Sequence, residues 1–184
     1  MVVLEVYLFV QYVERKSVEK GDSMIPFPNK KDITFHYTNE QMVKDLISLL
    51  PIKGTDTVLD AGSGKNKIWF NNINVIEKYE CEIDDGCDFL EWDKKVDWVI
   101  GNPPFHLGWV FTKKAIKITK KGIAFLGNLN FFNQFTTRRL DILKDSKFEL
   151  QKIHIVSDKR WFGRYYFLIF EKKKGILSWE RKTY

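Results

Sequence analysis

The sequence predicts an α/β fold built on a largely parallel sheet, with the last two strands antiparallel. Three observations carry this. Short apolar runs at 57–60, 96–101 and 123–126 alternate with segments of helical periodicity. A glycine turn, Ala61-Gly62-Ser63-Gly64, follows the first of these runs, where a strand hands over to a helix. Two closing runs, near 151–156 and 165–171, are separated by too short a stretch for a crossover helix.

Taken in order, Met1–Val13 is hydrophobic but interrupted by Glu5, with no small-residue cleavage site after it, and reads as a strand and not as a signal peptide. Residues 17–34, with Gly21, Pro26 and Pro28, read as an extended lead-in. Together they make an N-terminal extension, 1–34, ahead of one domain over 35–184. From Gln41 to Leu50, Met42, Val43, Leu46, Leu49 and Leu50 share one helical face, and Thr38 or Asn39 is the N-cap. Thr57–Asp60 is a short buried strand, Glu80–Ile83 a second and Val96–Gly101 a third. Leu107–Lys120 is a helix with Phe111, Ala115 and Ile118 inside and Lys113, Lys117, Lys120 and Lys121 on a solvated face. Gly122 ends it. Ile123–Leu126 is a buried strand, Thr136–Lys147 a polar helix, and Gln151–Val156 and Tyr165–Glu171 close the chain.

The 184 residues are enough for a sizeable core, and 44% apolar with 15% aromatic residues excludes a disordered chain. No apolar run is long enough for a bilayer-crossing helix, so no membrane role is expected. A net charge of +6 suits a polyanionic partner. Cys81 and Cys87 share no metal-ligand spacing with the three histidines. They read as reduced core thiols of a cytoplasmic protein, and no metal site is expected.

The chemistry concentrates after the third strand, in Asn102-Pro103-Pro104-Phe105. Two prolines fix φ and remove two N–H donors, leaving carbonyls that can only accept. An asparagine oxygen and a proline-flanked carbonyl make a receptor for an exocyclic amino group, and the phenyl ring offers a face on which a base can stack. Upstream, Asp60, Gly62 and Gly64 form a turn that lets backbone amides approach a ligand. Glu82, about 20 residues after Asp60, is placed for ribose hydroxyls. Asn66 stands where the third glycine of a pyrophosphate fingerprint would be.

The tetrapeptide resembles the Asn-Pro-Pro-Phe/Tyr motif of amino-group methyltransferases that use S-adenosylmethionine, above all the small, phage-type N6-adenine DNA methyltransferases. The resemblance covers roughly residues 35–171 and implies the doubly wound, Rossmann-like class I methyltransferase sheet. It implies S-adenosylmethionine as cofactor and direct in-line methyl transfer to the N6 amino group of a flipped or unpaired adenine in DNA. Asn102 and the Pro103 carbonyl would then hold the target amino group. Asp88-Phe89-Leu90 matches a segment that contacts the cofactor's adenine, although the stretch from Glu82 to Asp88 is too short for the usual intervening helix and strand, which implies a trimmed domain. Thr38 would touch the cofactor's carboxylate, in addition to or instead of capping the helix.

A second ring should cover the other face of the base. Trp161 or Phe162 is the candidate, with Lys159, Arg160 and Arg164 on flanking phosphates. Phe131, Phe132 and His106 are weaker candidates. The alternative substrate is RNA, since Asn102–His106 also resembles the Asn-Pro-Pro-Phe-His of ribosomal-RNA guanine-N2 methyltransferases, and RNA-adenine enzymes share the four-residue motif. A glutamine of a protein substrate fits the basic charge less well. A non-catalytic nucleic-acid-binding subunit is the remaining class. The chain has no room for a separate target-recognition domain, so selectivity should be short or should come from residues 1–34 or a protein partner.

Overall fold

The structure is a computed structural model that describes residues 38–158 and 164–175. The expected strand at Met1–Val13, the lead-in at 17–34 and the boundary at residue 34 lie outside the described residues. Helix α1, Glu40–Ser48, starts at Asn39, whose Oδ1 accepts from the N–H groups of Gln41 (2.8 Å) and Met42 (3.2 Å). Of the two candidate caps, Asn39 does the capping.

Strand β1 spans Thr57–Ala61, helix α2 Ile68–Asn72, strand β2 Glu77–Cys81 and strand β3 Val96–Gly101. Helix α3 is Gly108–Ile118 and runs directly into strand β4, Thr119–Asn128. Short helix α4, Leu129–Phe132, and helix α5, Thr137–Asp145, precede strands β5, Glu149–Val156, and β6, Tyr165–Glu171. The sheet order is β2-β1-β3-β4-β6-β5. The first four strands of that order are parallel, and β6 is antiparallel to both β4 and β5. The closing pair is therefore antiparallel as the sequence predicts, with β6 inserted between β4 and β5. All five parallel strands end at one edge of the sheet.

Alternation along the central strands sends side chains to two cores, so helices cover both faces. Val58, Trp98, Ile100 and Ala124 pack with Val43 and Leu46 of α1 and Trp69 of α2. Leu59, Val99, Ile123 and Phe125 pack with Phe111, Ala115 and Ile118 of α3 and Leu143 of α5. Among the described residues no helix is long and apolar enough to cross a membrane.

Two boundaries differ from the sequence reading. The second strand lies at Glu77–Cys81, which leaves Glu82 just past its end as the cap of a single 3₁₀ turn, Ile83–Asp85. Gly122 does not end a helix but lies within β4, under the Trp98 ring, where an added Cβ would come 2.2 Å from an indole carbon. Lys120 and Lys121 are thus strand residues, and Lys121 is paired with Asp56 and Asp97 instead of standing on a solvated helix face. Between Glu82 and Val96 there are two 3₁₀ turns and no strand, in keeping with a trimmed domain.

Candidate functional site

The edge where the parallel strands end gathers the predicted residues. Beyond Ala61 the chain turns through Gly62 (φ +76°) and Gly64 (φ +65°), left-handed values that glycine adopts without strain. The N–H groups of Gly62 and Ser63 donate to the Cys81 carbonyl at 2.9 and 3.1 Å, and Gly64 N–H donates to Glu82 Oε2 at 2.6 Å. The turn is therefore fixed to the end of β2. Ser63 Oγ donates to Glu80 Oε2 at 2.6 Å, and Lys67 pairs with Glu80 and Asp85.

Asp60 is fully buried beneath this turn. Its Oδ2 accepts from Phe70 N–H at 3.0 Å, while Oδ1 has no partner among the described residues. Burial pushes its carboxyl up to about 8, against the Phe70 hydrogen bond and with the negative charges of Glu80 and Glu82 adding to it.

Past β2, Glu82 also accepts from Asp84 N–H (3.4 Å), and Asp88 Oδ1 accepts from Leu90 N–H (2.8 Å), so both acids hold the connecting loop while keeping lone pairs for a ligand. Phe89 is placed in the core, 3% exposed and stacked on Phe111 with ring centroids 4.8 Å apart. The expectation of two reduced thiols is corrected here. Cys81 and Cys87 form a disulfide, because the loop through Gly86 folds back and brings their Cα atoms to 5.1 Å. The bridge joins the residue before Glu82 to the residue before Asp88.

The tetrapeptide lies alongside. A Cβ on Gly62 would sit 4.0 Å from Pro103 Cα, and one on Gly101 would sit 2.8 Å from Asp60 Oδ1, so the glycine turn and the Asn102 segment are in contact. Asn102 Nδ2 donates to Thr38 Oγ1 at 3.3 Å, leaving Oδ1 buried and unpartnered. Among the described residues five buried side-chain polar atoms lack a partner. The carboxyl and amide oxygens in that set, Asp60 Oδ1 and Asn102 Oδ1, both belong to this edge. Such orphans cost free energy unless a ligand completes them.

Pro103 is buried and Pro104 exposed. The Pro104 carbonyl accepts from Leu107 N–H at 2.9 Å. The half-buried Phe105 ring meets Tyr165 at 5.8 Å and 59°. Sequence reasoning missed Gln134. Its amide donates to the Phe105 carbonyl (2.5 Å) and accepts from Trp109 N–H (2.9 Å), while its own carbonyl takes Arg139 (2.8 Å). No sequence signal marks a single glutamine ahead of a polar helix. Tyr165 was missed as well, although an aromatic opening the last strand beside Trp161 was a usable signal. Trp161, Phe162, Lys159 and Arg160 lie outside the described residues, and Arg164 is exposed just before β6.

Comparison with known proteins adds to this geometry. No protein-family model and no curated protein sequence matches the chain. Solved structures do. The 23S rRNA methyltransferase ErmE superposes with a TM-score of 0.59 at 14% identity, over 75% of this chain and 70% of its own. Magnesium protoporphyrin IX methyltransferase from Synechocystis PCC 6803 with bound SAH gives 0.56 at 15% identity, over 94% and 99%. The ribosomal protein L11 methylase from Lactobacillus delbrueckii subsp. bulgaricus gives 0.57 at 13% identity, over 82% and 91%.

The chain has the class I methyltransferase fold. Those three proteins are named for an RNA, a porphyrin and a protein, so the fold leaves the acceptor to the residues of the site. In this chain the class I sheet brings Asp60, Gly62, Gly64, Glu82, Thr38 and Asn102–Phe105 to one edge, with Phe89 set behind them in the core.

Proposed function

We propose that this protein transfers a methyl group from S-adenosylmethionine to an exocyclic amino group of a nucleic-acid base, with the N6 amino group of adenine in DNA as first choice. The observation that carries the reading is the buried, unpartnered Asn102 Oδ1 beside the glycine turn. An acceptor oxygen held without a donor, next to a proline-flanked carbonyl, suits an amino group that donates two hydrogens.

The cofactor fits the residues on the other side of that contact. Gly62 and Gly64 keep a narrow turn open, Glu82 offers acceptors to ribose hydroxyls, and the unpartnered Asp60 Oδ1 leaves one polar valence to fill. S-adenosylmethionine supplies a methyl group made electrophilic by its sulfonium. The chain does the rest by position. Thr38 holds the Asn102 amide so that Oδ1 and the Pro103 carbonyl accept the two amino hydrogens and aim the nitrogen lone pair. The nitrogen would form one bond to the methyl carbon as the carbon–sulfur bond breaks and its electron pair returns to sulfur, leaving a neutral thioether, and the nitrogen would give up one hydrogen as a proton to water. Phe105 supports the ring of the base, whose extrusion from a duplex is required to reach this edge.

RNA is the second reading, favoured by the likeness to a 23S rRNA methyltransferase and by the same motif. A purely binding subunit has no use for a stored acceptor oxygen. The test offers purified protein and methyl-labelled S-adenosylmethionine to duplex DNA, single-stranded DNA and total RNA, with nucleoside mass analysis. Label as N6-methyldeoxyadenosine supports the first reading, and label in RNA alone moves the protein to the second. Label in none, with cofactor bound, removes both and leaves the binding subunit.

A further inference from the structure

The Cys81–Cys87 bridge has no part in the reading above, yet it stands between the two acids assigned to the cofactor. Cys81 immediately precedes Glu82, and Cys87 immediately precedes Asp88. The two half-cystines are held differently. Cys81 closes strand β2, is 1% exposed and takes the Gly62 and Ser63 N–H groups on its carbonyl. Cys87 is half-buried on the connecting loop, after the left-handed Gly86.

The two acids differ in the same way. Glu82 is fastened to the glycine turn through Gly64 N–H, and its loop is further held by the Lys67–Asp85 pair. Asp88 reaches back to β2 through Cys87, whose N–H donates to the Glu82 carbonyl at 3.0 Å and whose sulfur is bonded to Cys81. On the other side Asp88 Oδ1 accepts from Leu90 N–H, and Phe89 is stacked on Phe111 in the core. Asp88 is thus the junction between the bridge and an anchored ring. Bonded sulfurs stand about 2 Å apart, whereas two thiols separate to a contact distance of about 4 Å. Opening the bond pushes the sulfurs apart by roughly 2 Å, and the movement falls on Cys87 because Cys81 is locked in the sheet. For the adjoining Asp88, a shift of about 1 Å takes an acceptor from about 2.8 Å to beyond hydrogen-bond range.

We propose that the Cys81–Cys87 bridge positions Asp88 against Glu82 for the cofactor, so that reduction by a dithiol converts a tight cofactor site into a weak one. The proposal rests on the methyl-transfer reading above, with Glu82 and Asp88 as cofactor contacts. The step is a two-electron exchange. One thiol of the reductant attacks the half-buried Cys87 sulfur, and the Cys81 sulfur leaves with the bonding pair and takes up a proton. The second thiol of the reductant then displaces the Cys87 sulfur, which also takes up a proton. The reductant ends as a cyclic disulfide and the protein as two thiols. Glu82, Asp84, Asp85 and Asp88 make this loop acidic, which favours an uncharged dithiol as the reductant.

The test measures S-adenosylmethionine binding to the full chain by calorimetry, in air and after dithiothreitol, with the thiols counted by alkylation and mass analysis. The reduced protein should bind about tenfold more weakly, the loss of one hydrogen bond to a charged group, and reoxidation should restore the affinity. Cys87→Ser should bind as weakly as the reduced wild type, with or without dithiothreitol. With the acceptor that the labelling assay identifies, reduction should raise KM for S-adenosylmethionine and leave kcat within about twofold, since only uniform binding is lost. A bridge that serves stability alone would lower the thermal midpoint and leave the affinity unchanged well below it, and that result overturns the proposal. So does an air-oxidised protein with both thiols open to alkylation and full affinity. In either case the methyl-transfer reading stands. No cofactor binding by the bridged wild type overturns both.

Discussion

Strand β1 is flanked by two buried aspartates with opposite fates. Asp56, just before it, is 2% exposed, yet its carboxylate accepts from Lys53 N–H (3.0 Å) and from Lys121 Nζ (2.5 Å). Burial works to raise its carboxyl, and those two hydrogen bonds outweigh it, so the group stays below the ordinary carboxylate range. Nearby, Asp97 accepts from the Thr57 N–H and hydroxyl and returns its own N–H to that hydroxyl. Asp60, at the other end of the strand, has one hydrogen bond, one bare oxygen and a carboxyl pushed up to about 8. At the edge that needs only to hold the sheet together both carboxylates, Asp56 and Asp97, are saturated, and the hydroxyl of Thr119 is the buried side-chain oxygen left there without a partner among the described residues. The edge that meets ligands is left short of partners, and its unfavourable free energy is what a ligand can relieve.

Breaking the unsaturated edge should have the largest effect. Asn102→Ala is expected to lower the methyl-transfer rate roughly 10²–10³-fold, as removing an oriented transition-state partner does, with S-adenosylmethionine affinity within twofold by calorimetry. Loss of cofactor binding instead would assign Asn102 to the other side of the site.

Asp60→Asn sharpens the contrast, because it should gain stability while losing function. The folded carboxyl, near 8, lies above its ordinary 3.8, so the native state keeps a proton that the unfolded chain releases. Wild-type stability should therefore fall as pH rises from about 4 to 8 and level off above. Urea titrations across that range should show the slope removed in Asp60→Asn. The variant should be more stable by roughly 1–3 kcal/mol at pH 8–9, since no buried carboxylate has to ionise. Cofactor affinity should drop at least severalfold.

Lys121→Met attacks the saturated edge. It should cost about 1–2 kcal/mol at neutral pH, a figure reduced because the lysine is half exposed and screened, and should leave the rate per folded molecule unchanged. Asp56 is held low in the fold, so its contribution is present above the ordinary value of 3.8 and is lost as pH falls below it. The gap between variant and wild type should therefore narrow and close as pH falls below 3.8.

The smallest effect is expected from Gln134→Glu. It keeps an acceptor for Trp109 N–H and loses the donor to the Phe105 carbonyl. A rate drop of about three- to tenfold with an unchanged thermal midpoint would mark a positioning role, and a lowered midpoint with a normal rate would mark a purely structural one.

Much of this contrast was legible in the sequence. Val96–Gly101 and Tyr165–Glu171 are bounded as the apolar runs suggest, because buried strands leave uninterrupted hydrophobic signals. The Asp60 turn and Asn102 were legible because odd chemistry, a polar residue and two prolines, interrupts such runs. Thr119-Lys120-Lys121 misled, since lysines after an amphipathic helix read as its last turn. Pairing of Thr119 with Val96 of β3 converts them to strand, and the Trp98 ring requires a glycine next to them. Gln134 and the Cys81–Cys87 bridge were invisible for another reason. Both act across loops whose path is set by tertiary packing and not by local pattern.

The trimmed connection after β2 reaches beyond cofactor contacts. Without the usual further strand, β2 is one of the two outer strands of the described sheet, β5 being the other, and its outward backbone N–H and C=O groups have no strand partner among the described residues, a template for a second chain. It is five residues long and places Glu77, Lys78 and Glu80 along that border, with Lys67 and Lys94 beside them. Mixed charge on a short strand discourages edge-to-edge pairing. The economy that shortened the domain is thus matched by a guard against self-association, and neutralising Glu77, Lys78 and Glu80 together would remove that guard from the β2 border.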